Sequence, residues 1–241
     1  MLIGHYAPAL VLQRVRPSIP LWVLFIATQA VDVAWGLFVL TGVEHCRIAP
    51  GFTESNSLDL YDMPYSHSVV ATVLWSVGLA LVWRTFRHGR RHRGEGMIIA
   101  LAVASHFVLD LVVHVPDLPV TSTNGPMLGL GLWRHRELAL VVEGALFVVS
   151  ALAWSLPPRN RGKRRGVVLG AMAAFLVASY YLPAPPTPQL MAISGLATYA
   201  ACALAACWTN GPRRGTRREC APAVMTRAAS ETEKQPASVH A

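Results

Sequence analysis

Apolar residues gather into six long runs along this 241-residue chain, approximately 21–40, 67–83, 96–115, 137–156, 166–182 and 189–208, with short polar or basic segments between them. At about 1.5 Å of rise per helical residue, each run is long enough to cross a hydrocarbon layer of about 30 Å. The pattern therefore predicts an all-α, polytopic membrane helix bundle with six transmembrane helices. Ahead of the first run, segment 1–20 holds a short apolar stretch that ends at Arg14 and Arg16 and turns back through Pro17 and Pro20. It reads as a short N-terminal re-entrant or interfacial helix.

The charges orient the spans. Arg84, Arg87, Arg90, Arg91 and Arg93 fall between the second and third runs, Lys163 and four arginines between the fourth and fifth, and a further basic group after the sixth at 213–218. With six spans these segments share one side, and the positive-inside rule makes that side and both termini cytoplasmic, in a multi-pass protein of the cell (inner) membrane. The opposite side receives 41–66, 116–136 and 183–188. The first of these, rich in proline, glycine and small polar residues, is expected to be irregular and to cap a cavity. The chain divides into the short helix at 1–20, a half with polar spans at 21–156, a packing half at 157–208, and a polar tail at 209–241 expected to be disordered. Gly166, Gly170, Ala174 and Ala178 form a small-residue stripe on the fifth run, expected to pack against a neighbouring helix.

Composition narrows the class further. Hydrophobic residues make up 53% of the chain and charged residues 14%, with a net charge of +8. Soluble domains carry roughly 25% charged residues. The arginine runs lie between apolar spans, so lipid headgroups explain the positive charge and a nucleic-acid partner is excluded. No basic residue precedes Arg14 and the first long run contains Asp32, so a retained span is expected rather than a cleaved signal. Cys46, Cys202, Cys207 and Cys220 have no paired spacing and predict neither a disulfide framework nor a thiolate metal site. G-x-S-x-G, Walker and dinucleotide motifs are absent, which disfavours serine-hydrolase and nucleotide-driven chemistry.

Ionisable residues inside apolar spans point to a site. On the third run His106, Asp110, His114 and Asp117 fall at roughly 0°, 40°, 80° and 20° around a helix, forming one stripe. Each such group is costly in hydrocarbon unless it is paired, hydrated or bound to a cation. A His and an Asp four residues apart present a nitrogen and an oxygen to one point, as a Zn²⁺-type ion requires. The first run adds Gln29, Asp32 and Gly36, the second opens at His67, and the fourth carries Arg136 and Glu143 on one face, where Glu143 is expected to pair with Arg136 or with the stripe. Counted along helices from the cytoplasmic ends, His5, Asp32, His67, His106 and Asp110 lie about 15 to 25 Å deep, within one half of the membrane. Metal site, proton or ion pathway, and structural hydrogen bonding all remain open on this pattern.

Taken in order, Gly4-His5, Asp32, His67-Ser68 and Ser105-His106 to Asp110 resemble the membrane-bound metal-dependent hydrolases, small multi-span bacterial proteins likened to zinc-dependent phospholipase C. The resemblance covers residues 1–117. It implies a bound divalent metal, zinc by that likeness, and a hydrolytic site. Where the family often has Asp-x-Asp, this chain has Asp32-Val-Ala34, and Asp62-Met-Pro-Tyr65-Ser66 replaces an Arg-Gly pair and a further His. On this reading His106, Asp110, His67 and Asp32 are the ligands, with His5 as a fifth, and Asp62 or Asp117 accepts the proton from water. The depth of the site suggests a lipid or lipid-linked substrate. The competing readings are a transporter using the same residues as a proton or cation pathway, and a non-catalytic scaffold.

Overall fold

The computed structural model describes residues 2–87, 89 and 92–209; His88, Arg90, Arg91, Cys220 and the tail expected to be disordered from residue 210 onward lie outside them. Among the described residues there are eight α-helices, two short antiparallel strand pairs and two 3-10 turns. Helix α1 (Tyr6–Val15) is followed by α2 (Leu21–Thr28) and α3 (Ala30–Thr41), then by strands β1 (His45–Ile48) and β2 (Leu58–Asp62). Next come α4 (Val69–Phe86), α5 (Glu95–Val113), the two-residue strands β3 (Leu118–Pro119) and β4 (Met127–Leu128), α6 (Arg136–Ser155), α7 (Lys163–Tyr181) and α8 (Pro188–Thr209).

Four helices, α4, α5, α6 and α8, are long and apolar enough to cross a membrane, and α2 with α3 makes a fifth if the bent pair is one span. Their outer faces carry exposed large apolar side chains, among them Leu74, Leu101, Leu152 and Leu204. Such faces suit lipid and would be unfavourable in water. Helix α7 begins with Lys163, Arg164 and Arg165, so its apolar stretch is shorter.

The first run does not form the continuous helix its composition predicts. It bends by 53° between α2 and α3, with neither proline nor glycine at the break. The Thr28 hydroxyl donates to the carbonyls of Leu24 and Phe25, and the Gln29 N–H turns to Ile26 O at 3.2 Å in a tighter turn. Back-bonding of this kind competes with the regular ladder and bends helices. It also leaves the Thr28 carbonyl available to another partner.

The other departures are local. Segment 41–66, expected to be irregular, contains the β1–β2 hairpin, with a bulge between His45 and Arg47. The small-residue stripe on α7 faces outward: Gly166, Gly170, Ala174 and Ala178 are all exposed, and a Cβ at Gly166 or Gly170 would meet nothing within 4 Å. Periodicity shows which residues share a face, not what covers that face. Close packing occurs instead at Gly36 of α3, where a Cβ would lie 3.1 Å from Leu196 Cγ of α8.

Segment 1–20 does form a helix, buried over its first half, while Val11, Arg14 and Val15 are exposed. Tyr6, Ala7, Ala9 and Leu10 are fully enclosed, with α1 packed between α2 and α6. Non-continuous helix at membrane depth is tolerated where protein surrounds it.

Candidate metal centre

Helix α5 supplies the centre of the site because His106 and Asp110 lie one turn apart on its buried face. His106 Nε2 is 3.0 Å from Asp110 Oδ2 and 3.5 Å from Asp32 Oδ1 of α3. His67, just before α4, brings its Nε2 to 3.2 Å from Asp32 Oδ1 and 3.7 Å from Asp110 Oδ2. His5, at the N-terminus of α1, places Nε2 3.0 Å from Asp110 Oδ1 and stacks its ring on His106 at 3.8 Å between centroids. His114 Nε2 lies 3.6 Å from the same Asp110 oxygen. Four imidazole Nε2 atoms and two carboxylates, drawn from four separate segments of chain, therefore converge.

The opposite nitrogens of three of these rings are already engaged. His106 Nδ1 is 2.7 Å from the Thr28 carbonyl released by the α2–α3 break. A carbonyl can only accept, so Nδ1 carries the proton. His114 Nδ1 is 2.9 Å from Asp117 Oδ1, which makes it a donor by the same argument. His67 Nδ1 lies 2.8 Å from Ser66 Oγ, while the Ser66 hydroxyl donates to Glu44 Oε2 at 2.6 Å. That hydroxyl proton is committed, so Ser66 Oγ accepts from Nδ1. Glu44 Oε1 also receives the Tyr65 and Ser66 amides, holding the segment in place. All three rings thus turn Nε2 inward, presenting a lone pair when neutral. A carbonyl, serine or carboxylate behind a histidine is the arrangement that orients metal-ligating rings.

A lone pair beside a carboxylate oxygen is unfavourable unless a cation or a proton lies between them. His5 Nε2 and His106 Nε2 are buried, and each lies 3.0 Å from an Asp110 oxygen. Two overlapping groups, His5 with Asp32 and His106, and His67 with His106 and Asp110, each have one ligand atom per residue within 4.8 Å of the others. These buried His and Asp groups could hold a metal ion. The donor set of imidazole nitrogens and carboxylate oxygens suits a borderline divalent cation.

Helices α7 and α8 contribute tyrosines that carry no sequence signature, and α6 contributes Glu143. Glu143 of α6 is buried and does not pair with Arg136. Its Oε1 accepts the Leu2 and Gly4 amides at 3.1 and 2.7 Å, and its Oε2 accepts the Tyr180 hydroxyl at 2.7 Å. Glu143 thereby ties down the segment that carries His5. Arg136 instead donates to the Glu54 carbonyl at 2.6 Å. On α8, the Tyr199 hydroxyl donates to Asp32 Oδ2 at 2.8 Å, leaving Oδ1 to face His67 and His106. The approach of α8 over Gly36 sets that contact. A tyrosine in an apolar run reads as an interfacial or packing residue, so neither phenol was predictable.

Of the two aspartates read as proton acceptors, neither lines the cavity. Asp117 orients His114. Asp62 binds His45 Nδ1 at 2.9 Å and accepts the Thr123 hydroxyl at 3.0 Å. Asp59 pairs with Arg47 on the hairpin at 2.6 Å.

Gly129 holds the end of α5 on which His114 sits. Its φ is +152°, and a Cβ there would lie 2.1 Å from Val115 O, so only glycine allows this approach. The segment after β4 also pairs with carbonyls at the end of α5, through Leu130 N to Leu111 O and Gly131 N to His114 O.

A cavity of about 750 Å³ opens from the cluster, reached by His5, Asp32, His67, Asp110 and His114. Its lining includes Gly51 and Thr53 to Leu58 of the hairpin, Trp133 and Arg136, and residues of α7 and α8. No protein-family model, curated protein or solved structure matches this chain.

Proposed function

We propose that the protein is a multi-pass membrane hydrolase that uses a divalent metal, zinc by its donor set and by likeness to the membrane-bound metal-dependent hydrolases. The supporting observation is the inward convergence of four histidine Nε2 atoms on Asp32 and Asp110, with three of the rings anchored from behind. His5, Asp32, His67, His106 and Asp110 would hold the ion. When bound, such an ion supplies a Lewis acid and an acidified water. His114 lines the cavity beside this set with Nδ1 held by Asp117, so His114 is the group positioned to take a proton and Asp117 acts through it. Asp62 lies outside the cavity lining and bonds His45 and Thr123, so the proton is assigned to His114 rather than to Asp62.

A transporter using the same residues would need flux across a sealed membrane, whereas bond cleavage survives solubilisation. Detergent-solubilised protein is expected to hydrolyse members of an ester and phosphoester panel. His106→Ala should reduce the rate by at least ~10²-fold, the scale on which misplaced catalytic groups act. Proton or cation flux in proteoliposomes that depends on His106, with no member of the panel cleaved, would establish the transporter instead.

Six spans with both termini cytoplasmic complete the proposal, with the cavity facing away from the cytoplasm. Cys46 is a poor reporter of this orientation. It is 7% exposed, and burial, aided by Asp59, pushes its thiol up to about 11, so the reactive thiolate is scarce at neutral pH. Asn124 and Lys163 are exposed on segments assigned to opposite sides. In a cysteine-free background, Asn124→Cys should react with an impermeant maleimide in intact cells, and Lys163→Cys only after permeabilisation. Equal reaction of both in intact cells would overturn the orientation.

A further inference from the structure

The lining of the cavity combines two chemically different sets of residues. On the hairpin side Thr53, Glu54, Ser55, Asn56 and Ser57 line it, a polar surface suited to water. On the other side the lining passes through α7 and α8, with Phe175, Leu182 and Met191 beside Ser179, Ser194 and Gly195. Several of these lining residues are also exposed, including Phe175, Leu182 and Ser194. The cavity therefore reaches the surface alongside α7, α8 and the connection between them, which adds Pro183, Ala184 and Pro185 to the lining. Helix α7 packs mainly on α6, and α8 mainly on α2 and α3, so the pair make fewer contacts with each other than with those neighbours.

Position decides what meets this opening. Ser194 is six residues inside the start of α8, and Phe175 is six residues from the end of α7. At the helical rise both lie about 9 Å in from the helix ends. Around them Val177, Leu190 and Ile193 are exposed apolar residues. An opening at that depth on such a face meets acyl chains, not water. Small side chains at Ser179, Ser194 and Gly195 leave room for a chain to pass. Tyr199, one turn from Gly195, stands where the opening reaches Asp32, its ring near enough that a Cβ on Gly195 would lie 3.4 Å from its hydroxyl oxygen.

We propose that the cavity takes a membrane lipid sideways from the bilayer, one acyl chain lying in the α7–α8 opening and the polar linkage reaching the His/Asp cluster, with water supplied from the hairpin side. The volume of about 750 Å³ falls within the usual range for small-ligand sites, about 300 to 1,000 Å³. It accommodates a head group and part of a chain, the remainder staying in the bilayer. This assignment rests on the hydrolase reading for its chemistry, but lipid entry is testable without turnover.

Protein reconstituted in phosphatidylcholine vesicles containing a trace of phosphatidylcholine with a photoactivatable diazirine on its acyl chain would be irradiated and the labelled residues mapped by mass spectrometry. Label is expected on the cavity residues Met191 and Tyr199 as well as on the outward Leu74 and Leu101. Ser194→Trp and, separately, Ser179→Trp should each reduce cavity labelling by about tenfold or more, as expected when a bulky ring fills a binding site, while labelling of Leu74 and Leu101 stays constant. Two variants on different helices guard against a folding defect in one, and bound metal would be measured in each sample. Label confined to outward residues in the wild type, or cavity label unaffected by both tryptophans, overturns the proposal. Cavity label that responds to the tryptophans in protein that binds no metal supports lipid entry and overturns the hydrolase reading alone.

Discussion

Protein purified without chelators is expected to carry about one divalent ion per chain, as an enclosed His/Asp site does. His106→Ala should lose at least ~90% of it, because the remaining groups form an incomplete shell. His106 belongs to both ligand groups, and its Nδ1 is held by the Thr28 carbonyl so that Nε2 points inward. Tyr199→Phe should be milder, lowering affinity by about 10- to 100-fold, the usual effect of losing a hydrogen bond that orients a ligand. Metal analysis with chelator-competition titration reads both effects. Wild-type protein that binds no divalent ion, with stability unchanged by added Zn²⁺, would mean that the cluster is held by protons, with imidazolium balancing the two carboxylates.

Glu143→Ala should destabilise the protein by about 3 kcal/mol or more, since each buried donor left without a partner costs about 1 to 3 kcal/mol. Three donors lose their acceptor: the Leu2 and Gly4 amides and the Tyr180 hydroxyl. The damage extends to the site, because the released segment carries His5. Metal affinity should therefore fall along with stability. Glu143→Gln keeps a carbonyl for the two amides and should cost only about 1 kcal/mol. Tyr180→Phe should fall in the same range. Equilibrium unfolding in mixed micelles separates the three variants. A Glu143→Ala protein as stable as the wild type would show that water replaces the carboxylate and that the N-terminal segment is not held by it.

Much of the site is legible in the order and spacing of its residues. A spacing of four residues places His106 and Asp110 on one helix face, and the cost of charge in hydrocarbon marks them as functional. Counting helical rise brings His5, Asp32 and His67 to a similar depth, and the structure brings those three to His106 and Asp110. The same local logic holds for the start of α4, where Ser68 caps the helix by accepting the Ala71 amide at 3.0 Å. The helical architecture follows from apolar run length, because backbone groups in lipid must find partners within their own segment.

Other features depend on which helices become neighbours. The break at Gln29 has no proline or glycine to announce it, and it matters because a carbonyl on α2 meets a histidine on α5. Tyr199 reaches Asp32 only because α8 crosses α3 at Gly36, and Glu143 holds the N-terminal segment only because α1 packs on α6. The outward stripe on α7 gives the same lesson in reverse, since small residues permit close packing without specifying a partner. Sequence by itself determined the helical class and the residue types of the site, which follow from apolar run length and from interactions within a few residues of chain. Tertiary structure alone decided which carbonyl, phenol and carboxylate stand behind each ligand, because contacts between residues as far apart as Asp32 and Tyr199 depend on how whole helices pack and leave no local pattern.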